Sequence, residues 1–124
     1  MLGETKKYNL GIIASRNFNL DKISYLETVL GSKKDTIAQI FTNDVAEGGR
    51  TVIHYCLENK IPFAVYPIQK FKGASLLSNR KIIEQSDFLL IFCDAESTNH
   101  ALVEQQAKDL DKKFRTIFIT PNGN

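Results

Sequence analysis

The sequence predicts an α/β fold: a single Rossmann-like domain with a mostly parallel sheet of about five strands and helices on both faces. Three observations carry this. The hydrophobic period switches repeatedly between strand and helix along the chain, which is the pattern of βαβ units. The run Phe88–Cys93 is apolar without alternation, as a strand covered on both faces should be. The chain has 124 residues, 43% of them hydrophobic and 24% charged, which suits one globular domain with a single core. No linker, repeat or low-complexity segment divides it, so residues 1–124 are read as one unit.

The first strand is expected at Tyr8–Ala14. Asn19 or Asp21 can cap the helix that follows, which carries Ile23, Leu26, Val29 and Leu30 on one face and is closed by Gly31. Thr36–Phe41 is the second strand. The polar loop Thr42–Gly49 leads into a helix with Val52, Tyr55 and Cys56 inward and Asn59 near its end. Phe63–Tyr66 is a short third strand stopped by Pro67. A third helix carries Leu76, Leu77, Ile82 and Ile83 as its apolar side, with Asn79 and Arg80 polar. The strand Phe88–Cys93, a helix over about Asn99–Lys112 and a last strand Phe114–Ile119 complete the pattern.

Charge and cysteine content narrow the function. A formal net charge of +2, with lysines spread over many segments, gives no support for non-specific nucleic-acid binding. No apolar stretch approaches the roughly 18–20 residues of a membrane span, and residues 1–7 lack the apolar core of a signal peptide. A cytosolic protein is expected. Cys56 and Cys93 have no spacing that suggests a zinc knuckle or disulfide framework, and both are read as buried thiols.

Two apolar runs end in compact polar clusters: Leu10–Ala14 in Ser15-Arg16-Asn17-Phe18, and Phe88–Cys93 in Asp94-Ala95-Glu96-Ser97-Thr98-Asn99. Ligands of open parallel sheets bind outside the carboxyl ends of the strands, so both clusters are expected to face one crevice. An Arg, hydroxyls, amides and helix-start N–H groups suit a phosphorylated ligand. In the first cluster Arg16 can grip a phosphate bidentately and Phe18 can stack on a base; the plainer alternative is a capped loop with a solvated Arg. In the second, Ser97, Thr98 or Asn99 can cap a helix, grip phosphate or ribose, or do both.

Two further segments bear on the crevice. Asp44–Arg50 places a Gly pair before a helix, but its spacing matches neither the dinucleotide fingerprint nor the phosphate-binding loop, and glycines serving turn geometry are the favoured reading. Lys70–Arg80 puts Gly73 and Ser75 at a helix start, with Asn79 and Arg80 one turn in and in reach of the crevice. The alternative is a surface helix on which Arg80 pairs with Glu84, and spacing does not separate the two. Catalytic signals are thin. Ser97 and His100 lack a nucleophile elbow, His100 and His54 read as exposed or partly exposed side chains, and the two histidines have no metal-ligand partners at the right spacing. The loop carboxylates Asp44, Glu47, Asp94 and Glu96 read as solvated.

The order of Ser15-Arg16 and Phe18 after a strand, a Gly-containing loop before the second helix, Gly73-Ala74 followed by Asn79-Arg80, then Ser86–Phe92 and Ser97-Thr98, resembles the SLOG superfamily of Rossmann-like nucleotide binders. The resemblance runs from about Tyr8 to Ile119. Catalytic cousins that remove ribose phosphate from nucleotides carry a double-Gly strand end, then Gly-Thr and a Glu one turn on. Here the corresponding stretch is Ser97-Thr98-Asn99-His100-Ala101, with Ala101 in place of the Glu and Glu104 too far along. The resemblance therefore implies a nucleotide pocket without hydrolytic machinery, needing no cofactor or metal.

A small non-catalytic member is similar to the phage anti-Thoeris sponges, which sequester cyclic ADP-ribose isomers made by bacterial defence enzymes. Some of these also hold cyclic oligonucleotides at a separate site of a homo-oligomer, a dimer or a hexamer built from dimers. On that resemblance, Arg16 and Arg80 would neutralise a pyrophosphate, while Phe18 and Phe71 would stack on adenine. Asp44, Gly73, Asn79, Ser97, Thr98 and Asn99, with Ser15 and Asn17, would address ribose and phosphate oxygens. Lys112–Arg115 would offer a second anion site or merely a solvated helix end. The rival function is a nucleotide phosphoribohydrolase or nucleosidase, and a single-strand-binding module is a third class.

Overall fold

Seven-residue apolar runs with little charge need cover on both faces, and the chain provides it by alternating strands with helices. The computed structural model describes residues 7–44, 46–94 and 99–119. In chain order these form β1 (Tyr8–Ala14), α1 (Ile23–Leu30), β2 (Ile37–Thr42), α2 (Ala46–Glu58), β3 (Phe63–Val65), α3 (Ala74–Gln85), β4 (Phe88–Asp94), α4 (Asn99–Asp109) and β5 (Lys113–Ile119). Each neighbouring pair of strands is parallel, in the order β3-β2-β1-β4-β5. The α/β expectation holds, and every described strand pair is parallel rather than most.

Side chains alternate across a strand, so one strand feeds two cores. Leu10, Ile12 and Ala14 of β1, with Leu90 and Phe92 of β4, pack beneath α1 and α2 against Leu26, Leu30, Val52 and Cys56. Ile13 of β1, with Leu89 and Ile91 of β4, packs beneath α3 and α4 against Ile82, Ile83, Val103 and Ala107. Val52, Tyr55 and Cys56 point inward on α2 as the pattern requires. Both cysteines are buried, and burial pushes the Cys56 thiol up to about 12. The Tyr55 hydroxyl donates to Glu27 at 2.9 Å, and burial followed by that carboxylate raises its pKa.

Three local expectations are corrected. Neither Asn19 nor Asp21 caps α1 with its side chain; a 3-10 turn over Leu20–Lys22 starts the helix, closed by Lys22 N–H on the Asn19 carbonyl at 2.9 Å. Gly31 does not turn left-handed at the helix end but stays right-handed (φ −50°), and a second 3-10 turn runs on to Thr36. Leu76 and Leu77 are 43% and 45% exposed, while Ser78 and Asn79 are buried. The reason is position along the helix. Lower down, Ile82 and Ile83 meet the sheet, but the first turns of α3 reach loop ends, where Ser78 Oγ donates to the Tyr66 carbonyl at 2.7 Å. No described helix is long and apolar enough to cross a membrane.

Candidate functional site

The strand order creates the site. From β1 the chain steps outward to β2 and β3, then crosses back through α3 to place β4 on the other side of β1. Connections leave β1 and β4 in opposite directions, so a crevice opens between their carboxyl ends, where ligands of such sheets bind. A cavity of about 600 Å³ lies there, within the ~300–1,000 Å³ of small-molecule sites. Its floor is Ile13 and Ala14 of β1 and Ile91 and Phe92 of β4.

Ser15, Arg16 and Asn17 form one wall. The Ser15 N–H donates to the Phe92 carbonyl at 2.8 Å, and the Phe18 N–H to the Ser15 carbonyl at 3.1 Å, which holds the loop as a tight turn. Arg16 is exposed and has no ion-pair partner among the described residues. The Ser15 hydroxyl is buried with no hydrogen-bond partner among the described residues. Opposite stand Gly73, Ser75, Leu76 and Asn79 from the start of α3. Gly73 sits at φ +85°, a left-handed conformation that glycine takes without strain. Asn43, just beyond β2, donates through Nδ2 to Asn79 Oδ1 at 3.2 Å, and both side chains are buried. His100, Leu102 and Val103 of α4 complete the lining, with the His100 ring edge-on to Phe118 at 5.3 Å.

Five of the expected residues therefore meet in one cavity: Ser15, Arg16, Asn17, Gly73 and Asn79. Phe18 does not. It is fully buried, stacked on Phe92 with ring centroids 4.9 Å apart, because the turn at Ser15 swings it under α1 and into the core. A base-stacking role for Phe18 is thereby corrected. Arg80 is turned to solvent, its Nε 3.3 Å from Glu84, since neighbours on a helix point about 100° apart. Phe71 is 55% exposed and outside the lining. Asp44 is also outside it, its carboxylate accepting from the Ile68 N–H at 2.9 Å and so fixing the loop before α3. Ser97 and Thr98 lie outside the described residues, and Asn99 is the first residue of α4.

Asn43 and His100 are lining residues to which the motifs assigned no ligand role, and Ser75, read at the helix start, joins them. For Asn43 the signal was present, since it follows directly on the strand beside β1. The Gly pair lies inside the first turn of α2 rather than in a turn before it, and its duty is close packing against the strand ends rather than turn geometry. A Cβ on Gly48 would lie 2.2 Å from the Ser15 carbonyl oxygen, and one on Gly49 2.3 Å from that of Asn43. Gly48→Ala is expected to cost roughly 2–3 kcal/mol, because the clash is with backbone that cannot swing aside. Thermal unfolding checks this, with a fall in Tm of about 5–10 °C.

His54 is exposed on α2, 3.3 Å from Glu58 and away from the crevice. Glu104 accepts a hydrogen bond from Thr116 of β5. The Lys112–Arg115 stretch is the entry to β5 rather than a helix end, since α4 stops at Asp109; Lys113 and Arg115 are exposed there. Among the described residues no group of three His, Cys, Asp or Glu side chains gathers as a metal site. No family model, curated protein or solved structure matches the chain.

Proposed function

We propose that the crevice captures a cyclic, adenine-containing nucleotide signal such as a cyclic ADP-ribose isomer and releases it unchanged, as an anti-defence sponge does. The observation that carries this reading is the meeting of Arg16, the Asn43–Asn79 pair and the open start of α3 around a cavity of nucleotide size at the β1/β4 switch point. Donors of this kind, gathered on a rigid sheet edge, suit phosphate and ribose oxygens. Ala101 in place of the Glu of catalytic cousins accords with binding without cleavage, as does the commitment of Glu104 to Thr116. Sequestration needs slow release, and a homo-oligomer covering the exposed Leu76 and Leu102 at the mouth would supply it.

The test is to mix the protein with adenine-based cyclic nucleotides, isolate the complex by chromatography, denature it and identify what is released. Intact ligand is expected. Free adenine or an opened product would instead establish the nucleotide phosphoribohydrolase class.

A further inference from the structure

We infer that the crevice anchors one phosphoryl group, between Arg16 and the first turn of α3, and lodges the remainder of the ligand along the aliphatic side chains of Leu76, Leu102 and Val103. The inference rests on the reading of the crevice as a nucleotide site. Helix α3 has 12 residues and no side-chain cap. The Ala74 N–H donates to the Phe71 carbonyl and the Leu77 N–H to that of Gly73. This leaves the N–H groups of Ser75 and Leu76, both at the cavity, without an acceptor among the described residues.

The side chains beside it point independently to an occupant. Asn79 is 8% exposed, and its Oδ1 accepts from Asn43 Nδ2, which fixes the amide at the cavity edge. The Ser15 hydroxyl, on the facing wall, is buried and unpartnered among the described residues. Buried polar groups are nearly always satisfied, so a buried hydroxyl lining the cavity without a partner marks a place where a ligand oxygen belongs.

The count of charges limits that ligand. Among the described lining residues Arg16 is the one Lys or Arg, with Arg80 paired to Glu84 outside. The single guanidinium facing the first turn of α3 matches one phosphoryl group; the second of a pyrophosphate is left to the open mouth. Leu76, Leu102 and Val103 form an aliphatic wall above the Ile13, Ala14, Ile91 and Phe92 floor, and Gln106 Nε2, donating to the Leu76 carbonyl at 3.0 Å, ties α4 to α3 so that this wall keeps its shape.

Titration calorimetry with adenosine, AMP and ADP tests this. AMP is expected to bind at least about tenfold more tightly than adenosine, and ADP within about threefold of AMP. Equal binding of adenosine and AMP, or an ADP gain of about tenfold or more, would overturn the inference. If none of the three binds, the nucleotide reading is judged on the cyclic-nucleotide capture described above, and the anion subsite on inorganic phosphate and pyrophosphate. Phosphate should then shift the Ser75 and Leu76 amide resonances saturably, with pyrophosphate no more than about threefold tighter; absent shifts or a larger gain reject the subsite. Ser75→Asp supplies a carboxylate at the same N–H groups. It should hold or raise Tm while weakening phosphate or AMP at least about tenfold; unweakened binding would count against the subsite.

Discussion

Phe18→Ala is expected to lower stability by about 3–5 kcal/mol, the usual cost of emptying a fully buried Phe site. Phe18 has no exposed surface, stacks on Phe92 and tilts against Tyr25 at 6.4 Å, so it joins β4 to α1. Against a net stability of ~5–15 kcal/mol such a loss is severe, and Tm should fall by 10 °C or more. Phe18→Leu refills most of the space and separates the two roles considered for this residue. If Phe18 is a core residue, the Leu variant keeps nucleotide affinity within a few-fold and recovers much of the stability, as volume-conserving swaps do. Were the ring a platform for adenine, the Leu variant would fold well and bind poorly.

Arg16→Ala should act in the opposite way. The side chain is exposed and has no ion-pair partner among the described residues, so its removal leaves no buried charge behind and Tm should stay within about 2 °C. A charge-assisted bond to phosphate contributes about 1.5–3 kcal/mol, so nucleotide capture should weaken by about 10- to 100-fold. Calorimetric titration beside a melting curve reads both. Arg80→Ala is the matched control: it removes a solvent-exposed pair with Glu84, whose contribution is small, and should leave capture unchanged.

The strands were legible because burial on both faces forces unbroken apolar runs, and β1 lies at Tyr8–Ala14 as its composition requires. The position of the crevice followed from the parallel order alone, since loops at the carboxyl ends of β1 and β4 must meet there. Which side chains enter it was less legible. Arg16 and Phe18 sit two residues apart in one loop, and only the turn closed by the Phe18 N–H sends one to solvent and the other under α1. Asn79 and Arg80 are adjacent in sequence and about 100° apart around α3, so one reaches Asn43 while the other reaches Glu84. Apolar spacing alone counts Leu76 and Leu77 as core, although α3 has by then passed the end of the sheet. In each case the deciding quantity is a direction set by tertiary geometry, and composition carries no such direction.

Amide hydrogen exchange of the protein with and without a bound cyclic adenine nucleotide tests the central claim most directly. Protection is expected at Ser15–Asn17, at Asn43 and at Ala74–Asn79, with the outer face of α2 around His54 unchanged. Protection confined to the β5 edge at Lys113 and Arg115, or to any surface away from the β1 and β4 ends, would contradict it.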